Sequence, residues 1–238
     1  MQKILGIDTN AKTIKGQKKG FLTGICYLAP SDASGVMNTC PNASKGCREA
    51  CLFTAGRGAM SNVRDPRIAK TVSFHNDPAA WMAQLAKEIT ALVKRAKKNG
   101  LTPCVRLNGT SDIAWEDVAV GGEQNIMRLF PNVQFYDYSK RPLRVVNNRL
   151  PNYHLTFSRS ESNEKHVQEV LGAGTINVAV VFRKTLPATF YGRTVVNGDE
   201  SDLRFLDPVN VVVGLVDKGK AKKDETGFVV EPNLDKRG

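Results

Sequence analysis

The sequence has no long apolar run. Nothing in its 238 residues approaches the ~20 consecutive apolar residues that a membrane-spanning helix needs, so no membrane partner is expected. Its first twenty residues, MQKILGIDTNAKTIKGQKKG, hold no secretory apolar stretch, and a cytoplasmic location is expected. Histidine is scarce, with three residues, and none form a zinc-finger pair. The aromatic signature of an RNA-binding strand is missing too. The acidic stretch Asp199, Glu200, Asp202 and Asp207 lacks the spaced ligands of an EF-hand, and turn formation accounts for it. No segment of linker-like composition divides the chain, which reads as one domain, 1–238.

Charge is unbalanced. Lys and Arg number 34 against 23 Asp and Glu, a formal net charge of +11. Such a surplus attracts anionic partners, nucleic acid among them; a solvated basic surface is the plainer reading. Much of the surplus sits near the two ends, in KTIKGQKKG (12–20) and DKGKAKKD (217–224).

Residues 1–20 read as a short strand or arm, and FLTGICYLAP (21–30) as a buried strand bounded by Gly20 and Pro30. A long irregular stretch, 31–62, follows. Helix is expected over DPRIAKTVSFHND and, after the Asp77-Pro78 start, to the Asn99-Gly100 stop. Strands and helices then alternate: TPCVR, EQNIMRLFP, NVQFYDYSK (132–140), RPLRVVNNRLP, YHLTFSRS (153–160), NEKHVQEVLGAG and INVAVVFRK (176–184). That alternation is a parallel α/β pattern, which a doubly wound sheet and a (β/α) barrel both satisfy. Past Pro187 the pattern changes to a β-rich part, 187–230, with a polar tail, 231–238, expected to fray.

Three of the five cysteines fall within twelve residues, C40-PNASKG-C47-REA-C51. An odd cysteine count in a reducing compartment disfavours disulfides. Zinc sites use paired Cys-x2–4-Cys hooks and four ligands; no second hook is present, so a fourth ligand would come from His75, Cys26, Cys104 or elsewhere. Cys26 and Cys104 lie in apolar strand patterns and read as core. Three thiolates suit a cubane iron–sulfur cluster, [4Fe-4S] or its [3Fe-4S] form, with one iron open. Lys45, Arg48 and Arg57 would offset its negative charge. Zinc, and a metal-free loop, remain the alternatives.

Polar residues cluster where strands end, the place where parallel α/β proteins bind ligands. Asn108, Gly109, Ser111 and Asp112 leave one strand. Tyr136, Tyr138 and Lys140 alternate and so share a face. Ser158, Arg159 and Arg183 close two later strands. These six are the candidates for holding a small molecule or an anionic ligand.

The order of a first strand, a three-cysteine loop, a helix and strands with polar exits resembles the radical S-adenosylmethionine superfamily. That resemblance implies a partial (β/α)6 TIM-like barrel, with Asn108, Gly109, Ser111 and Asp112 at the exit that holds S-adenosylmethionine. The superfamily's usual spacing is Cys-x3-Cys-x2-Cys, and this chain departs from it. A closer resemblance is to the mycobacteriophage gene product eighty-eight-like family. It rests on Cys40-Pro41-Asn42-Ala43, Gly46-Cys47, Cys51, the Arg106–Asp112 exit and Phe135-Tyr136-Asp137-Tyr138-Ser139-Lys140. It implies a phage iron–sulfur protein on a radical-SAM-like barrel, acting in the host cytoplasm, and supplies no known reaction; the open iron is what makes radical-SAM-like or redox activity the expectation. The alternative reading is a basic module, stapled by zinc or a cluster, that binds nucleic acid or a host protein.

Overall fold

The computed structural model describes residues 2–8, 11–54 and 56–233. The end of the tail, 234–238, and the Arg57 side chain lie outside the described part. In chain order the strands are β1 (Leu5–Ile7), β2 (Phe21–Cys26), β3 (Thr102–Arg106), β4 (Gln134–Ser139), β5 (Tyr153–Ser158), β6 (Val178–Phe182), β7 (Thr189–Phe190), β8 (Arg193–Asn197), β9 (Val212–Val216) and β10 (Val229–Val230). The helices are α1 (Ala11–Gln17), α2 (Lys45–Glu49), α3 (Ser61–Asn76), α4 (Pro78–Lys98), α5 (Ile126–Leu129), α6 (Pro142–Val146) and α7 (Glu164–Gly172). They belong to two compact units. The first is Met1–Pro41, Ser61–Asp137 and Arg149–His154; the second is Asn42–Met60, Tyr138–Asn148 and Leu155–Gly238.

In the first unit β2 pairs antiparallel with β1 and parallel with β3, and β3 pairs parallel with β4. α4 covers this sheet. Asp77 caps it, accepting from the Ala80 amide at 2.9 Å, and Pro78 starts its first turn. Trp81, Leu85, Ile89 and Leu92 then recur at helical spacing and are buried. The Trp81 ring stacks on Trp115 with centroids 5.4 Å apart, and Phe74 packs against both. Glu88, on the same helix, accepts the Ile4 and Leu5 amides at 2.8–3.1 Å and so ties down β1.

In the second unit β6 is central. β5 and β9 flank it, both parallel; β8 pairs parallel with β9, and β7 antiparallel with β8. The β7–β8 turn is Tyr191-Gly192, with φ of +55° and +66°, the sign pattern of a two-residue hairpin turn that follows strand twist. β10 joins β6 in parallel at Val181 and Phe182, beyond the register that β5 occupies. α7 buries Val167, Val170 and Leu171.

The chain is thus a mixed α/β protein. In neither unit do the described strands close into a barrel. The N-terminal arm contains a helix, α1, as well as the expected short strand. α3 begins at Ser61, upstream of the expected Asp65-Pro66 start, and carries Pro66 inside it. No helix among the described residues is long and apolar enough to cross a membrane.

Truncating Leu85, which is fully buried, removes packing that the strands cannot recover. Leu85→Ala should cost about 2–5 kcal/mol, whereas Lys94→Ala on the exposed face should stay within about 0.5 kcal/mol, as read from urea midpoints.

Candidate functional site

The five cysteines fall into two kinds, and none forms a disulfide. Cys26 and Cys104 are fully buried in β2 and β3, as their apolar context predicts. Burial pushes the Cys26 thiol up to about 12, so it stays protonated and unreactive. Cys40, Cys47 and Cys51 are half-buried, in irregular chain or at a short helix.

In the first unit the exit of β3 holds the segment that carries Cys40. Asn108 is the hub. Its Oδ1 accepts from Ser111 Oγ (2.8 Å), the Ile113 amide (3.0 Å) and Trp115 Nε1 (3.0 Å). Its own amide donates to Asp137 Oδ1 at 2.7 Å, and Tyr153 donates to Asp137 Oδ2 at 2.8 Å. Thr110 Oγ1 donates to the Leu28 carbonyl at 2.6 Å, and the Asp112 amide to the Thr39 carbonyl at 2.8 Å. Cys40 Sγ lies 3.6 Å from the Thr110 carbonyl. Gly109 is glycine for lack of space: a Cβ there would sit 2.6 Å from the Cys26 carbonyl oxygen. Asn108, Gly109, Ser111 and Asp112 are therefore brought together, and next to Cys40. Asn108 is 2% exposed, and its carbonyl oxygen is committed to the loop itself.

The second unit holds the other two half-buried cysteines. Ser44 caps α2, accepting the Cys47 amide at 3.2 Å. Glu161, just past β5, then grips both: its carboxylate accepts Ser44 Oγ and the Gly46 amide, each at 2.7 Å. Gly46 is packed so closely that a Cβ would meet Thr226 Oγ1 at 2.1 Å and Phe228 Cβ at 2.6 Å. Cys51 follows the helix after the αR C-cap Ala50, one turn beyond Cys47.

The candidate ligand residues divide. Tyr136 is fully buried in the core, whereas Tyr138 is half-buried. Lys140 Nζ donates to Ser158 Oγ at 2.7 Å and lies 5.8 Å above the Phe228 ring. Arg159, almost fully buried, donates to the Gly227 and Phe228 carbonyls at 2.6 and 3.0 Å. It also faces Glu164, which accepts the Tyr191 hydroxyl at 2.8 Å; burial first, then this bond, raises the Tyr191 phenol. Arg183 donates to the Lys222 and Asp224 carbonyls at 3.0 and 2.7 Å. Arg159 and Arg183 thus fasten the C-terminal segment 222–228, a role their place at strand ends did not reveal.

Asp137, Glu161 and Asp224 carry more of this framework than any candidate ligand residue. Asp137 had one legible sign, a carboxylate in the apolar strand context Phe135-Tyr136-Asp137, which burial obliges to find partners. Glu161 stood in the polar run Ser158–Glu161 that leaves a strand, but nothing local pointed to its partners, which lie more than a hundred residues back.

The donor chemistry of Cys40, Cys47 and Cys51 suits a thiolate-bound metal. Among the described residues, however, no group of three or more His, Cys, Asp or Glu side chains is arranged to hold a metal ion.

These features define an α/β protein whose thiol-bearing connection is fastened at strand ends. The chain belongs to the gene product 88 family, a phage family whose model matches residues 4–232. No curated protein and no solved structure shows significant similarity to the chain.

Asp224 gives this framework a pH dependence. Burial alone would raise its carboxyl; hydrogen bonds from Thr226 Oγ1 and from the Val229, Thr226 and Gly227 amides outweigh that and hold it below the usual carboxylate value. A depressed folded-state value contributes stability that is present above the unfolded value, about 3.9, and is lost as pH falls through the folded one. Asp224→Asn should therefore lower stability at pH 7 by about 1–3 kcal/mol and lose less than the parent on acidification, as followed by thermal melts at stepped pH.

Proposed function

We propose that the Cys40–Cys51 segment binds an iron–sulfur cluster through Cys40, Cys47 and Cys51. The observation that carries this reading is the contrast among the thiols. Three within twelve residues are half-buried and outside disulfides, while the remaining two are sealed in the core. The supports of the segment fit the same reading. Asn108 and its loop fix the chain beside Cys40, and Glu161 fixes the helix that presents Cys47.

A cluster held by three thiolates leaves one iron to take a small molecule, water or a cofactor. S-adenosylmethionine is the cofactor that the radical SAM resemblance suggests, on a barrel of that type. The exit with Asn108, Gly109, Ser111 and Asp112 would hold that cofactor, and Lys140 and Ser158 would offer a cation and a hydroxyl to a small-molecule or anionic ligand at the ends of β4 and β5.

The test is metal and sulfide analysis of protein expressed and purified without oxygen. Iron and acid-labile sulfide in near-equal amounts, lost in Cys40→Ala, Cys47→Ala and Cys51→Ala but kept in Cys104→Ala, are expected. Colourless protein with stoichiometric zinc would overturn the reading. Adding S-adenosylmethionine should shift the cluster's absorption if the open iron takes it; no shift removes the radical SAM extension alone.

A further inference from the structure

The second unit carries a concentrated basic surface, of which the cluster reading uses only Lys45 and Arg48, as charges that offset the thiolates. Lys220, Lys222 and Lys223 lie in one short 3-10 turn, Gly219–Lys223, and all three are exposed. The turn is held in place. Ala221, between the lysines, is buried in a small cluster with Ala50 and Val229. Arg183 donates to the Lys222 and Asp224 main-chain carbonyls at 3.0 and 2.7 Å. The lysines therefore project from a fixed backbone.

The seat of that turn is the cysteine helix. Lys220 and Lys223 line a shared cavity with Glu49, Ala50 and Asp224. Lys45 and Arg48, on α2, add two exposed cations to the same region. Little acid opposes them. The Asp224 carboxylate is taken up by Thr226 and Val229. Glu49 is 4.0 Å from Lys45 with both side chains largely exposed, a weak pair. Glu225 is an exposed acid in the turn's neighbourhood, and Glu231 is taken up by Arg183.

We infer that this face, Lys45, Arg48, Lys220, Lys222 and Lys223, binds the phosphodiester backbone of nucleic acid without reading its sequence. The charge complementarity names the partner. Several cations fixed within one turn match closely spaced phosphates, and condensed counterions released on binding favour the contact. The net charge of +11 adds long-range attraction. Sequence reading would need side chains that pair with or stack on bases. Around the turn no aromatic or amide side chain projects to pair with or stack on a base, and Phe228 is half-buried. A membrane surface is the less favoured partner, because Leu52 is the only large apolar side chain exposed in the adjoining turn Leu52–Thr54, too little to anchor in a bilayer.

The experiment measures binding of the full chain to a labelled DNA duplex and to a single-stranded RNA of about 20 nucleotides, over a salt series. Binding to one or both should weaken linearly in log–log form. The triple change Lys220→Ala, Lys222→Ala and Lys223→Ala should lower the slope by about three. A control with the same charge loss on α4, Lys94→Ala, Lys97→Ala and Lys98→Ala, should leave the slope nearly unchanged. Thermal melts and iron content identical to the parent show that the variants fold and that the cluster reading is untouched. Equal slopes for both triples would reduce the effect to net charge and overturn the proposal. So would no binding to either nucleic acid at low salt, or binding only to phosphatidylserine vesicles.

Discussion

The structure depends on polar side chains in or near its strands taking up the main-chain groups of long connections. A buried amide or carbonyl without a partner costs about as much as a lost hydrogen bond, so an irregular segment stays ordered only if something nearby satisfies it. In the first unit the Asn108 amide and the Asp137 carboxylate serve the loop that reaches Cys40. In the second, Glu161 serves the start of α2, and Asp224 the turn before β10. One device, repeated four times, replaces the regular ladders these segments lack.

This constraint explains which candidates became structural. Residues at strand ends are exposed to ligands, but they are also the residues nearest to the departing chain. Asn108 is consumed by the loop it begins. Arg159 and Arg183 point their guanidinium groups at main-chain carbonyls of the C-terminal segment instead of at solvent. Lys140 and Ser158 bond to each other across the ends of β4 and β5. Cys40, Cys47 and Cys51 stay half-buried, whereas Cys26 and Cys104 are taken into the core.

The sequence made some of this legible and concealed the rest for physical reasons. α4 was readable because its start, its stop and its apolar stripe are all local: Asp77-Pro78, Asn99-Gly100, and Trp81 to Leu92. α1 was not, since Ala11–Gln17 carries no apolar stripe and its Ile14 is 49% exposed. Asp65-Pro66 imitated a helix start inside α3. The barrel expectation rested on the radical SAM resemblance; the alternation of strands and helices was satisfied by a doubly wound sheet as well, because it specifies parallel strands but not closure. β10 was invisible, being two residues long and formed by a pairing with β6 that only the folded chain brings about. Within the site, the three half-buried thiols and the Asn108 exit stood out as motifs. Their anchors did not, because Glu161 acts 115 residues from Gly46, and no local pattern encodes such a contact.

The central claim is that the half-buried thiols are cluster ligands. Electron paramagnetic resonance tests it most directly, on protein kept anaerobic and examined as isolated and after dithionite reduction. A signal of an iron–sulfur centre that integrates to about one spin per chain in at least one of the two states, and that vanishes in Cys47→Ala, is the result the account predicts. A silent spectrum in both states, with one zinc per chain, would contradict it.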